Sequence, residues 1–148
     1  MRRSLLVVVI VIAAIAAYVG YVRQHSPVSE IPAPGTAQNE SVLASAFRNH
    51  ERNIQVQGQG QVTKILADDN DGNRHQRFIV RVGSGQTLLI AHNVDLAPRI
   101  TSLSLGDTIE FNGQYEWNPQ GGVVHWTHRD PSGRHQAGWL RHNGQTSQ

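Results

Sequence analysis

No cysteine occurs anywhere in the 148 residues. That excludes disulfides, thiolate metal sites and a lipoprotein anchor, and leaves the compartment to be read from other signals. A basic excess is also lacking. The formal charge of +2 comes from 13 basic and 11 acidic residues, and Arg2, Arg3 and Arg23 flank an apolar run. Without those three, residues 24–148 carry 10 basic against 11 acidic residues, a net of −1. Proteins that grip nucleic-acid backbones neutralise phosphates with Lys and Arg, so generic nucleic-acid binding loses its usual charge support. No zinc signature is present. The acidic stretch Asp68, Asp69, Asp71 also misses the calcium-loop template, because Gly72 would require an acid at Ala67,. It reads as a solvated turn.

One long apolar run is present. Leu5 to Val22 is eighteen residues without a charge. A helix of that length reaches roughly 27 Å, close to the thickness of a bilayer core. Arg2 and Arg3 ahead of it keep the N-terminus in the cytoplasm and send the rest across. Small residues around Ala14-Ile15-Ala16 offer a rival reading as a cleaved signal peptide. Tyr18 and Tyr21 near the end of the run favour a membrane interface and an uncleaved anchor. The expectation is a single-pass protein of the inner (cytoplasmic) membrane, tethered through Leu5–Val22, with its C-terminal domain in the periplasm or outside. Residues 1–23 are then the anchor and 24–40 a linker containing Pro27, Pro32 and Pro34,. Residues 41–148 form the domain.

Within the domain, Ser41 is placed to cap a short helix carrying Val42, Leu43, Ala46 and Phe47. Beyond Asn53 the period changes to two. Ile54, Val56, Gly58, Gly60 and Val62 alternate with Gln55, Gln57, Gln59 and Gln61,. Further strands are expected with Phe78, Val80 and Val82 on one face, over Thr87 to Asn93, with Ile109, Phe111 and Tyr115 facing inward, and over Val123 to Thr127. A second short helix, capped by Asp95 and carrying Leu96, Ile100 and Leu103, is expected between the third and fourth strands. The segment to Gln148 reads as a polar tail with one apolar pair, Trp139-Leu140.

These elements make an all-β domain, a five-stranded barrel with a short helix between strands 3 and 4. The layout resembles OB-fold domains, most tellingly through Leu103-Ser104-Leu105-Gly106-Asp107-Thr108-Ile109 leading into the fourth strand,. Residues 45–146 are also similar to an uncharacterised family of short bacterial membrane-anchored proteins. The stretches GQTLLIAHNVDLAPRI and YEWNPQGGVVHWTHRDPSGRHQAGWLRHNG carry that similarity. It implies an anchored extracytoplasmic domain and brings no activity with it.

Chemistry concentrates near the C-terminus. His125, His128, His135 and His142 fall within 18 residues, with Arg129, Arg134 and Arg141 beside them. Imidazoles bind metals, act as general bases near neutrality and, with cations alongside, suit anionic ligands. His125 and His128 are three apart on an expected strand, so alternation places them on opposite faces. A metal would therefore have to draw on His128, His135, His142 or Asp130 through a folded-back tail. The bland alternative is a tail whose histidines bond backbone and seal one barrel end. The function expected is a binding module for an anionic oligomer, nucleic acid or envelope glycan, at His75, His92, Trp126, His128, Arg134, His135 and Arg141. A hydrolase such as a phosphodiesterase or nuclease, with Arg77 and Arg81 beside the acidic loop, is one rival. A structural partner-binding domain of the envelope is the other. No catalytic residue is assigned, and the oligomeric state is not legible.

Overall fold

The computed structural model describes residues 34–148, and the apolar run at 5–22 lies outside them. Among the described residues no helix is long and apolar enough to cross a membrane. Helix α1 spans Pro34–Arg48, so it opens ahead of the expected cap and claims the last seven residues of the expected linker. A proline at the start of a helix is tolerated, because the N–H it lacks would be unpaired there anyway. Ser41 consequently lies mid-helix, its hydroxyl bonded back to Gln38 O at 2.7 Å. The helix ends in a Schellman turn. Glu51 N–H reaches Ala46 O at 2.9 Å and His50 N–H reaches Phe47 O at 3.3 Å, with His50 left-handed at φ 55°,.

Five strands follow: β1 Arg52–Ile65, β2 His75–Arg81, β3 Thr87–Asn93, β4 Thr108–Glu116 and β5 Val123–His125. They close in the order β1-β2-β3-β5-β4, with β1 pairing β4. β3 and β5 run parallel and the other pairs are antiparallel. This closed barrel fits the OB-like layout expected from the sequence. Closure depends on β1, which pairs β4 over Arg52–Gln61 and β2 over Gln61–Ile65. Glycine makes room for the core along it, because a Cβ on Gly58 would stand 2.8 Å from the Phe111 ring.

Phe78, Val80, Ile109, Phe111 and Tyr115 are fully buried, as alternation predicted, and Leu88 and Ile90 of β3 join them. Residues 94–107 form turns and no helix. Pro98 lacks the N–H that a helix interior needs, and Ser102 is left-handed at φ 59°,. The one helix of the described residues precedes the barrel instead of interrupting it.

The tail is also more ordered than its polarity suggested. β6 (Trp139–His142) and β7 (Gln145–Ser147) form a hairpin. Its turn is Asn143-Gly144, both left-handed at φ 49° and 77°, the pattern that two-residue hairpin turns demand. β5 is short and pairs only Gln114–Glu116 of β4, which leaves Ile109–Asn112 on that strand to pair β6. Leu140 is thereby buried in the core.

Candidate functional site

Antiparallel order puts the end of β3, the end of β5 and the start of β2 at one end of the barrel. Three imidazoles meet there. His75, His125 and His128 line a cavity of about 200 Å³ together with Trp126, Asn73, Asn93 and Leu96. His125 and His128 were expected on opposite faces. Alternation fails because β5 stops at His125 and Trp126 is left-handed at φ 51°. That conformation is uncommon for a bulky residue and costs on the order of 1–3 kcal/mol. It is held by the tail: Gly138 N–H bonds His128 O at 2.9 Å. A side chain on Gly138 would collide with Trp126 O.

Each ring is fixed by a specific partner. His75 Nδ1–H donates to Asn73 O at 2.8 Å, and buried His128 Nδ1–H donates to Arg129 O at 2.8 Å. That engagement leaves Nε2 of each as the nitrogen able to meet a ligand. Burial holds His125 below the usual imidazole range, against the opposing pull of Glu116, whose carboxylate lies 4.0 Å from His125 Nε2. His135 stacks on Trp126 with ring centroids 4.1 Å apart and planes 7° apart, and His128 tilts against the same indole at 5.2 Å. His135 Nδ1 faces Gln136 O at 3.0 Å and its Nε2 faces the Gln114 side-chain oxygen. The Gln114 amide is oriented by its own bond to Glu116, 2.8 Å.

The other candidates separate. His92 is fully buried and unavailable to a ligand. Its Nε2–H is directed at Pro98 O and Ser147 Oγ, each 3.1 Å away, and its Nδ1 accepts from the Thr127 hydroxyl at 2.8 Å. Burial lowers its pKa to about 4, so it is a neutral ring tying β3 to β7 and to the loop after β3. Arg134 lies in an exposed turn organised by Asp130, and its Nε donates to Ser132 Oγ at 3.0 Å. Asp130 accepts from Ser132 and from the backbone of Arg134 and His135. The Ser132 hydroxyl bond leads the effects that lower its pKa to about 2. Arg141 sits on β6, paired with Glu110 at 3.2 Å and lying over the Trp139 ring at 4.9 Å. His142, buried at the end of β6, pairs with Asp107 at 2.8 Å.

The metal reading through His128, His135, His142 or Asp130 therefore finds its members apart or already engaged. Among the described residues no group of three or more His, Asp or Glu side chains could hold a metal ion. The acidic loop is likewise engaged, with Asp68 paired to Arg99 and Asp69 lying 3.8 Å from Arg77. Asn73, Asn93, Leu96 and His125 join the cavity without having been singled out as ligands in the sequence. No periodicity signals them, since a left-handed Trp126 and the register His75↔Asn93 bring them together.

No curated protein matches the chain. A family model described as a protein of unknown function, DUF3465, matches residues 27–148, in keeping with the resemblance carried by the segments after β2 and β4. That match takes in α1 and the whole barrel with its β6–β7 hairpin, and the chain belongs to the DUF3465 family.

Proposed function

We propose that this domain is a binding module that seats an anionic group of an oligomer in the His75–His125–Trp126–His128 cavity. The apolar run at 5–22 would hold it at the inner membrane with the cavity outside the cytoplasm. The observation that carries the reading is the composition of the cavity wall: three imidazoles, two amides and an indole, with no carboxylate among them. Amide N–H groups and protonated imidazoles donate to an anion, and the indole supplies a flat apolar wall. His135 stacks on the same indole and braces that wall. Outside the wall, Glu116 lies 4.0 Å from His125 Nε2, and Asp95 is taken up by Arg74 at 2.7 Å. The OB-like barrel is compatible with this use, since such barrels commonly bind oligomers at loop-bearing ends. A hydrolase is less well supported, because the cavity shows neither an acid to pair with a base nor a cluster fit for a metal.

The test is equilibrium binding of the full chain to a short oligothymidylate and to an oligouronate, near pH 6 and near pH 7.5. Binding of one of them should strengthen at the lower pH as imidazoles protonate, and weaken with salt. The double variant His75→Ala/His125→Ala should lose about tenfold or more in affinity. Equal affinity at both pH values together with an unaffected double variant would reject this site. Turnover of either probe, lost in the same variant, would move the reading to the hydrolase.

A further inference from the structure

A second surface is built from different chemistry. Across β1, β4 and β6 the outward side chains stand in register: Gln57, Asn112 and Trp139 in one row, then Gln59, Glu110 and Arg141 in the next. The rows are two residues apart, about 7 Å along the strands, and neighbouring strands are about 4.8 Å apart. Gln55 and Gln114 extend the same face toward His135, and Gln61 continues it at the other end. An outer barrel face needs only to be soluble, and charged or hydroxyl side chains suffice for that. Here β1 presents four glutamines in succession, and β4 adds Asn112 and Gln114.

This face is also concave. The early turns of α1 stand beside it, and Thr36, Asn39, Gln57, Gln59 and Glu110 line a groove of about 220 Å³. Gln57 and Gln59 are exposed and make no side-chain hydrogen bond to another described residue. The groove thus offers three amides, one hydroxyl and one carboxylate within a single concavity. Its charge is balanced, because Arg141, the cation of the second row, is bound to Glu110.

We propose that this groove binds a neutral saccharide chain. An amide donates through two N–H groups and accepts through its oxygen, which matches the donor-and-acceptor character of sugar hydroxyls. A carboxylate accepts from hydroxyls but repels phosphate and uronate. Within the two rows the one arginine is paired with Glu110, so the groove itself lacks the free cations that nucleic acid would require,. Trp139, one strand beyond Asn112, supplies an indole whose electron-rich face attracts the polarised C–H groups of a pyranose. The Arg141 guanidinium over one part of that ring fixes its orientation. This site is separate from the histidine cavity in ligand charge, in residues and in expected pH response.

The experiment is an NMR titration of the full chain in a zwitterionic, sugar-free detergent. The probes are the neutral oligosaccharides cellotetraose, chitotetraose and mannotetraose, with an oligouronate and an oligothymidylate as anionic controls. At least one neutral probe should shift the side-chain amides of Gln57 and Gln59 and the Trp139 indole N–H, without dependence on pH between about 6 and 7.5. The exposed double variant Gln57→Ala/Gln59→Ala should keep its fold and weaken that probe about tenfold or more. His75→Ala/His125→Ala should leave it unchanged, which separates a failure here from a failure of the anion site. Absence of shifts with all three neutral probes, or wild-type affinity in the glutamine variant, overturns the proposal. So does a stronger response of the same signals to either anionic control.

Discussion

At the barrel end where β1 begins, α1 lays Leu43 and Ala46 against the core, Phe47 stacks on Trp117 and His50 tilts against the same indole. The opposite end is held by buried polar groups. There Gln76 clamps the loop before β4 through both Ile100 N and Ile100 O, at 2.9 and 3.0 Å, and His92 fastens β7 to β3. His142 pins the start of β4 through Asp107. One end is sealed chiefly by apolar packing, with Glu40 of α1 accepting from Gly83 N–H at 3.0 Å, and the other chiefly by buried hydrogen bonds. Apolar packing tolerates small shifts because it is not directional. A polar seal is stable only while every partner is present and correctly protonated. The histidine cavity lies at the polar end, where titratable groups are already concentrated.

The difference can be broken from either side. Truncation of the apolar plug has the largest expected effect, because Leu43 is fully buried against the Gly58–Phe111 contact. Leu43→Ala should lower unfolding free energy by about 2–5 kcal/mol. A urea titration showing a loss below about 1 kcal/mol would mean that α1 is not part of the folding unit.

At the polar end the sensitive variable is pH. His92 is held at about 4 from an ordinary value of 6.5, so the unfolded chain binds its proton more tightly than the folded one,. Its contribution is therefore whole above about pH 6.5 and declines as the pH falls toward 4, by on the order of 3 kcal/mol in all. His125, lowered by burial, acts in the same direction. Asp95, Asp107 and Asp130 are all held below the usual carboxylate range and lose their contributions only at lower pH. His92→Leu should be destabilised at neutral pH yet show a flatter stability profile between about pH 6.5 and 4. A profile as steep as that of the natural protein would show that His92 is not the principal titrating group.

The smallest effect sharpens the comparison. Ser147 bonds both His92 and Pro98 O through one hydroxyl. Ser147→Ala should cost about 1 kcal/mol, and should leave the response to Leu43→Ala additive within about 0.5 kcal/mol. Strong coupling between the two variants would mean that the two seals are not independent.

How much of this was legible follows from the range of the interactions involved. The barrel was readable because alternation along β1, β2, β3 and β4 is a local pattern, and a closed sheet needs such strands with one apolar face each. The β6–β7 hairpin was not read from the sequence, because its polar flanks hid the turn pair Asn143-Gly144,. α1 was half legible: its apolar side is plain, whereas its start at Pro34 depends on an N–H that need not be paired. The candidate site was the least legible part. His75, Asn93, His125 and His128 come from three separated segments, and Trp126 must adopt a left-handed backbone to bring the last two to one wall.

The residues by themselves determined the all-β core, its inward set and the polar character of the outer face of β1, because side-chain period and hydrophobicity act between near neighbours. Only the tertiary structure decided which histidines face a cavity and which are locked in the interior. Strand order sets His125 beside Gln114, and the folded-back tail lays His135 on Trp126. Burial then divides chemically identical rings, leaving His92 a neutral strut and His75 at an open wall. An imidazole has no role until its two nitrogens have partners, and those partners are supplied by segments distant in the chain.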